Sequence, residues 1–225
     1  QEQELTAAVV DVMRRGAYIL QQDLADFEKR LREFLGVKYA FGVADGTNAL
    51  IIALQAAGIG RGDEVIVPSH TYVASAASIH LPGATPVECR DDHMIDPAGV
   101  RAAITARTRA IMPVQLNGRT AAMDEIMAIA GEHGLKVIED AAQALGSRFR
   151  GRFAGTFGAA GTYSFYPAKL LGCFGDGGGV VTNDDAMGER LALLRDHGRD
   201  SQGEVVGWGT NSRLDNLQAA ILNVK

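Results

Sequence analysis

Residues 64–79 read EVIVPSHTYVASAASI, and this stretch decides the fold. Glu64–Pro68 is a short apolar run rich in β-branched residues, bounded by a proline, and reads as a strand. The small residues from Thr71 onward read as a helix over 71–81. A strand, a polar turn and a helix within some twenty residues is the repeating unit of a parallel sheet. The unit recurs in both directions. Upstream, 39–43 is a strand and 47–57 a helix. Downstream, a strand at 85–89 precedes a helix at 97–106, a strand at 110–116 precedes a helix at 122–133, and 136–139 is a further strand. Two more strands are expected at 162–165 and 179–182, with a helix at 184–195. Residues 4–35 read as helix, because Leu24, Phe27, Leu31 and Leu35 recur at helical spacing and Gly36 suits a C-cap. The expectation is an α/β fold whose mostly parallel sheet is covered on both faces.

Bulk properties narrow the functional classes. The chain has 225 residues, 47% of them hydrophobic, and a formal net charge of −5. That balance argues against a general nucleic-acid binder or a protein drawn to anionic membranes. No apolar run approaches the roughly 20 residues of a membrane span. The acidic, polar start, Gln1–Glu4, is unlike a signal peptide. Cys89 and Cys173 suggest no disulfide framework, and a reducing cytoplasm is the expected location. His70, His80, His93, His133 and His197 have no metal-site spacing. The chain lacks an initiator Met and stops inside a helical pattern, so it is expected to be part of a longer protein. No internal repeat or low-complexity linker marks a domain boundary.

In parallel sheets ligands bind beyond the carboxyl ends of strands. The residues that follow each strand are therefore the candidates for chemistry. At 42–50, GVADGTNAL, a strand ends and a helix begins near Gly46 and Thr47. The free N–H groups of a helix start favour a phosphate. An ordinary junction capped by Asp45 or Thr47 gives the same pattern. At 136–147, KVIEDAAQALGS, Asp140 ends an apolar strand, either as a turn cap or as a buried acid facing a cation. Glu139, its neighbour, points to the opposite face. At 164–179, SFYPAKLLGCFGDGGG, Lys169 lies among aromatic and apolar residues. Its stem packs while its head reaches water, or its amine attacks a carbonyl. Tyr72 stands just past a strand, where it is an ordinary aromatic or stacks on a flat ring. Asn211, before the apolar helical face of Leu214, Leu217, Ala220 and Ile221, is a helix cap on the plainest reading.

Together these segments resemble the DegT–DnrJ–StrS family of sugar aminotransferases, pyridoxal-phosphate (PLP) enzymes of the aspartate-aminotransferase fold. The pieces that match in order and spacing are GVADGTNAL, DEVIVPSHTYVASA, PVQLNGRTAAMDEI, KVIEDAAQALGS, SFYPAKLLGCFGDGGGVVTND and NSRLDNLQAAIL. The resemblance covers 37–225 and implies a three-layer sandwich with a mixed, mostly parallel sheet as a PLP-binding large domain. It implies an N-terminal helical segment at 1–36 and a C-terminal small domain beyond residue 225.

The resemblance also assigns roles. Lys169 matches the Schiff-base lysine and Asp140 the acid that pairs with the pyridine nitrogen. Gln143 matches a residue near the ring and its 3′-oxygen. Gly46, Thr47 and Ser164 match phosphate contacts, and Tyr72 the aromatic stacked on the ring. Asn211 matches an asparagine that reaches the partner subunit's cofactor, which implies a homodimer. The glycines after Lys169 are expected to let the backbone pass close to the cofactor. Gln115 departs from the histidine that many members carry, at a position expected on the substrate side. The implied reaction moves an amino group from L-glutamate to a nucleotide-linked keto-sugar. Sugar dehydratases, in which histidine replaces the lysine, are disfavoured by Lys169. Aminohydroxybenzoate synthases, and a non-enzymatic regulatory protein of the same fold, remain the alternatives.

Overall fold

In the computed structural model, which describes residues 1–80, 84–87 and 93–225, the strands and helices alternate along the chain. Two N-terminal helices, α1 (Glu2–Arg15) and α2 (Gln22–Leu35), lead into β1 (Tyr39–Val43). There follow α3 (Gly46–Ala56), β2 (Glu64–Pro68), α4 (Val73–Ile79), β3 (Ala84–Val87) and α5 (Pro97–Ala103). Next come β4 (Thr108–Ile111), a 3-10 turn at Leu116–Gly118, α6 (Met123–His133) and β5 (Lys136–Asp140). The chain continues through β6 (Arg148–Phe149), β7 (Arg152–Phe153), β8 (Ala160–Ser164), β9 (Gly178–Thr182), α7 (Asp185–Arg195) and α8 (Asn216–Val224). Seven strands form one sheet in the order β1-β9-β8-β5-β4-β2-β3. Pairing is parallel from β8 across to β3, and β9 is antiparallel to both β1 and β8. The sheet is therefore mixed and mostly parallel, as expected. No helix among the described residues is long and apolar enough to cross a membrane.

The pleat sorts side chains into two cores. Val180 joins the cluster built with α3, α5 and α6, and the next residue, Val181, joins the cluster built with α2 and α8. In the second cluster Leu24, Phe27, Leu31 and Leu35 of α2 are all buried, as their spacing predicts, and Phe27 meets Phe165 edge-on with ring centres 5.2 Å apart. Helices thus cover both faces of the sheet.

Four local expectations need correction. The helix expected over 4–35 is two helices. Gly16 adopts a left-handed conformation, φ 62°, and its N–H and that of Ala17 close the end of α1 on Met13 and Val12. The strand expected at 110–116 ends at Ile111: Pro113 has no N–H to offer, and Asn117 turns the chain at φ 53°. The hairpin β6–β7 was not anticipated. Its turn needs positive φ at two successive residues, supplied by Arg150 (48°) and Gly151 (83°) without the usual Asn-Gly or Asp-Gly signal. Asn211 caps no helix, since Asp215 is the residue that precedes α8. The strand expected at 85–89 lies partly outside the described residues.

α8 is tied to the N-terminal helices by one buried side chain. Asn216 Oδ1 accepts the Leu24 N–H at 3.0 Å, and its Nδ2 donates to Ala17 O at 2.7 Å and to Asp23 Oδ2 at 2.6 Å. The residue before α2, Gln21, makes no side-chain cap, so Asn216 satisfies an N-terminal donor of α2 from 192 residues away. Replacing it with Ala removes all three of these bonds and leaves the Leu24 N–H with only its 3.1 Å bond to Gln21 O. We expect Asn216→Ala to lower the unfolding free energy by about 1–3 kcal/mol, read from urea denaturation at unchanged slope. Burial alone raises the pKa of Asp23, but hydrogen bonds from Arg15 and Asn216 bring it below its ordinary value of 3.8. A carboxylate depressed by folding contributes stability that is complete above its unfolded pKa and lost as pH falls through its folded one. Asp23→Asn is therefore expected to flatten the acid limb of the stability profile below 3.8 and leave its neutral region the same shape.

Candidate active site

The carboxyl ends of β1, β2, β5 and β8 open into one cavity of about 650 Å³. Asp45, Gly46 and Thr47 reach it just beyond β1, Thr71 and Tyr72 beyond β2, Asp140 at the last residue of β5, and Ser164 at the last residue of β8. Gln143 and Lys169 line it as well. Seven of the eight residues expected at the site thus converge from separate parts of the chain. The eighth, Asn211, is exposed, does not line this cavity, and pairs with Asp196 through the backbone.

At one end lies the first turn of α3. Asp45 caps it by accepting the Asn48 N–H at 2.8 Å. Gly46 and Thr47 follow, and N–H groups in a first turn have no acceptor within their own helix. Ser164 sits against the same turn: a Cβ placed on Gly46 would come within 2.9 Å of the Ser164 Cβ. The glycines after Lys169 play a different part from the one expected. Gly177, Gly178 and Gly179 are buried and do not line the cavity. A side chain on Gly178 would strike the Asp45 backbone, and one on Gly177 would come within 2.8 Å of Cys173 Sγ. Gly178 lets β9 press directly against the turn that starts α3, while Gly177 and Gly179 make room for Cys173 and Phe165.

Asp140 is 6% exposed. Its Oδ2 accepts the Ser75 hydroxyl at 2.7 Å and its Oδ1 the Ala142 N–H at 3.1 Å. Ser75 is itself buried and lies 2.7 Å from Thr71 Oγ1, so a hydroxyl pair braces the carboxylate. Burial pushes the Asp140 pKa up, while the Ser75 and Ala142 bonds and the positive charge of Lys169 pull it down; the net direction is upward. An acid in that condition gains most from a further cation. The Lys169 N–H closes a turn on Tyr166 O at 2.8 Å, and its side chain is half-buried on the cavity wall. Gln143 Oε1 accepts the Asn117 N–H at 2.8 Å, which orients the amide. Tyr72 is 70% exposed at the mouth.

Gln115 does not line the cavity. It is fully buried, with Nε2 donating to Glu139 Oε2 at 2.9 Å and Oε1 accepting the Ala121 N–H at 2.7 Å. Glu139 points away from the cavity, as its strand position predicts, and its carboxylate binds the loop at 155–158. Nothing in the sequence singled out Ser75 or Asp176, the exposed carboxylate on the cavity rim, and Thr71 stood out only as part of the strand-end segment 69–72. Ser75 is one small residue in a run of small residues, and only its place one turn after the strand-end loop hints at its aim.

Comparison with known proteins follows the same lines. A transaminase from Streptomyces venezuelae, dTDP-3-amino-3,4,6-trideoxy-alpha-D-glucose transaminase, is 48% identical over 99% of this chain and 59% of its own length. The solved structure of DesV from S. venezuelae superposes with a TM-score of 0.95 at 48% identity, covering 99% of this chain and 61% of that one. NtdA from Bacillus subtilis, solved with bound cofactor PMP, gives a TM-score of 0.89 at 33% identity over 98% of this chain and 51% of its own. The chain therefore spans between 51% and 61% of these relatives' lengths. Residues 1–225 match the profile of the DegT/DnrJ/EryC1/StrS aminotransferase family from end to end, and the chain belongs to that family.

Proposed function

We propose that this chain forms the cofactor-binding part of a PLP-dependent aminotransferase that moves an amino group from L-glutamate to a nucleotide-linked keto-sugar. The observation that carries this reading is the convergence of Asp140, Lys169 and the first turn of α3 on one cavity. PLP is flat, with a phosphate at one end, a basic ring nitrogen and an aldehyde, and its size suits a cavity of about 650 Å³. The donors present fit each part. The first-turn N–H groups at Gly46 and Thr47, with the hydroxyls of Thr47 and Ser164, suit the phosphate. The buried Asp140 carboxylate suits a protonated ring nitrogen, whose charge offsets the cost of burying the acid.

When bound, PLP supplies an electron sink for a substrate carbanion. The chain's own residues do the rest. Asp140 keeps the proton on the ring nitrogen, and Ser75 and the Ala142 N–H hold Asp140 in place. Lys169 would hold the cofactor through its Nζ, and the same amine would carry a proton to and from the substrate carbon. Such a positioned proton carrier is worth about 10²–10⁴-fold in rate. Gln143, whose Oε1 is already taken by Asn117, would have its amide N–H free for the ring oxygen. Tyr72 would cover the ring face at the mouth. Asn211, exposed and away from its own cavity, serves the partner's site in a homodimer.

An absorbance titration with PLP tests the reading directly. Wild type is expected to develop a visible band that borohydride bleaches and that Lys169→Ala lacks. Identical spectra for the two proteins would overturn the role of Lys169. Added glutamate is expected to convert the bound cofactor to its amine form, and 3-keto and 4-keto nucleotide sugars to restore it. A bound cofactor that glutamate never converts would rule out this donor.

The phosphate end has its own test. Gly46→Ala places a methyl group 2.9 Å from the Ser164 Cβ. PLP affinity, followed by fluorescence quenching, is expected to fall about tenfold, equivalent to about 1.4 kcal/mol. An unchanged affinity would move the phosphate away from this turn.

A further inference from the structure

Resting on the PLP site just described, we propose that Glu139 and Gln115 form a buried brace that positions Asp140 and Gln143, making both positioning residues of the site although neither lines it. Glu139 is fully buried in β5, on the face opposite Asp140. Its Oε1 accepts the N–H groups of Phe157 (2.6 Å) and Gly158 (3.0 Å). Its Oε2 accepts those of Gly155 (2.7 Å) and Gln115 Nε2 (2.9 Å). Each oxygen thus meets two donors. Burial pushes the Glu139 pKa up and these four donors pull it down, with the net direction upward; the ionised form is the one that can accept all four.

Gln115 is the link from this anchor to the cavity. Its backbone N–H donates to the Asp140 carbonyl at 2.9 Å, and the Asp140 N–H donates to Pro113 O at 3.0 Å. Residues 113–115 therefore hold the backbone of Asp140 through both its N–H and its carbonyl. Two residues later the Asn117 N–H holds Gln143 Oε1. The same short segment carries a sharp turn, with Asn117 in the left-handed region at φ 53°. Such a turn keeps its shape only if something fixes it, and the Gln115 side chain does so by donating to Glu139 and accepting from Ala121. Both cofactor-facing side chains are thus set through a segment pinned to one buried anion.

The side chain at 115 must offer one N–H donor and one acceptor. Neutral histidine satisfies this pattern; leucine satisfies neither half, and glutamate would oppose a second acceptor to Glu139. The test compares the full chain as wild type, Gln115→His, Gln115→Leu and, as a control destabilised far from the cavity, Asn216→Ala. In cofactor-free protein, amide hydrogen exchange at Asn117, Ala142, Gly155, Phe157 and Gly158 is read by NMR. PLP affinity is measured alongside. Gln115→Leu is expected to speed exchange at these amides and weaken PLP binding by about tenfold, the lower range for loss of a supporting residue behind a site. Gln115→His is expected to restore both, and Asn216→Ala to leave PLP affinity unchanged and to speed exchange at these amides no more than at other core amides of the sheet. Should Gln115→Leu not fold, Gln115→Asn, one methylene too short to reach, takes its place. The brace is overturned if PLP affinity survives in Gln115→Leu, if Gln115→His fails to rescue, or if Asn216→Ala produces the same losses. Wild type that binds no PLP would instead refute the cofactor site, and the exchange data would still decide whether residue 115 holds Asp140 and Gln143 in place.

Discussion

The burial of one carboxylate, Asp140, at the carboxyl end of a central strand sets the terms for everything around it. A buried acid is costly unless it is hydrogen-bonded and faces positive charge. Three elements meet that demand. α4 contributes the Ser75 hydroxyl, the turn after β5 contributes the Ala142 N–H, and the loop after β8 brings the charge of Lys169 near. The Ala142 contact is local, but the other two depend on strand order: β8, whose loop carries Lys169, lies beside β5, and β2, which leads to α4, lies one strand further on past β4. The cavity is a result of that order, because ligands of open α/β sheets collect where strand ends and their loops meet.

Much of this was readable from sequence because the relevant periods are short. EVIVP and KVIED are apolar runs with no helical spacing, and they became β2 and β5. The period of two also gave the opposed directions of Glu139 and Asp140. Strand ends gave Gly46, Thr47, Tyr72, Asp140, Gln143, Ser164 and Lys169, all of which line one cavity. The sequence could not say that they share it, because convergence depends on strand order, and no local pattern encodes that order. Resemblance to a family supplied it.

What stayed hidden has a common physical cause. Ser75, Gln115 and Asn216 act through hydrogen bonds to partners 65, 24 and 192 residues away. Nothing about a serine in a run of small residues, or a glutamine after a proline, announces such a partner. Gln115 shows the same limit: its neighbours Val114 and Leu116 line the cavity, while its own side chain turns inward. The hairpin at 148–153 escaped because an Arg-Gly turn takes its backbone shape from context rather than from a preferred residue pair.

The tight fit of Gly178 against the Asp45 backbone constrains substitution there. One end of the cavity is built from main chain pressed on main chain, where no added side chain can be absorbed. Tyr72 and Tyr166 line the same cavity and are more than half exposed in this chain. The two kinds of wall tolerate replacement differently. A change at Gly178 has to move main chain, whereas a change at either tyrosine alters a side chain and leaves β9 and the start of α3 where they are.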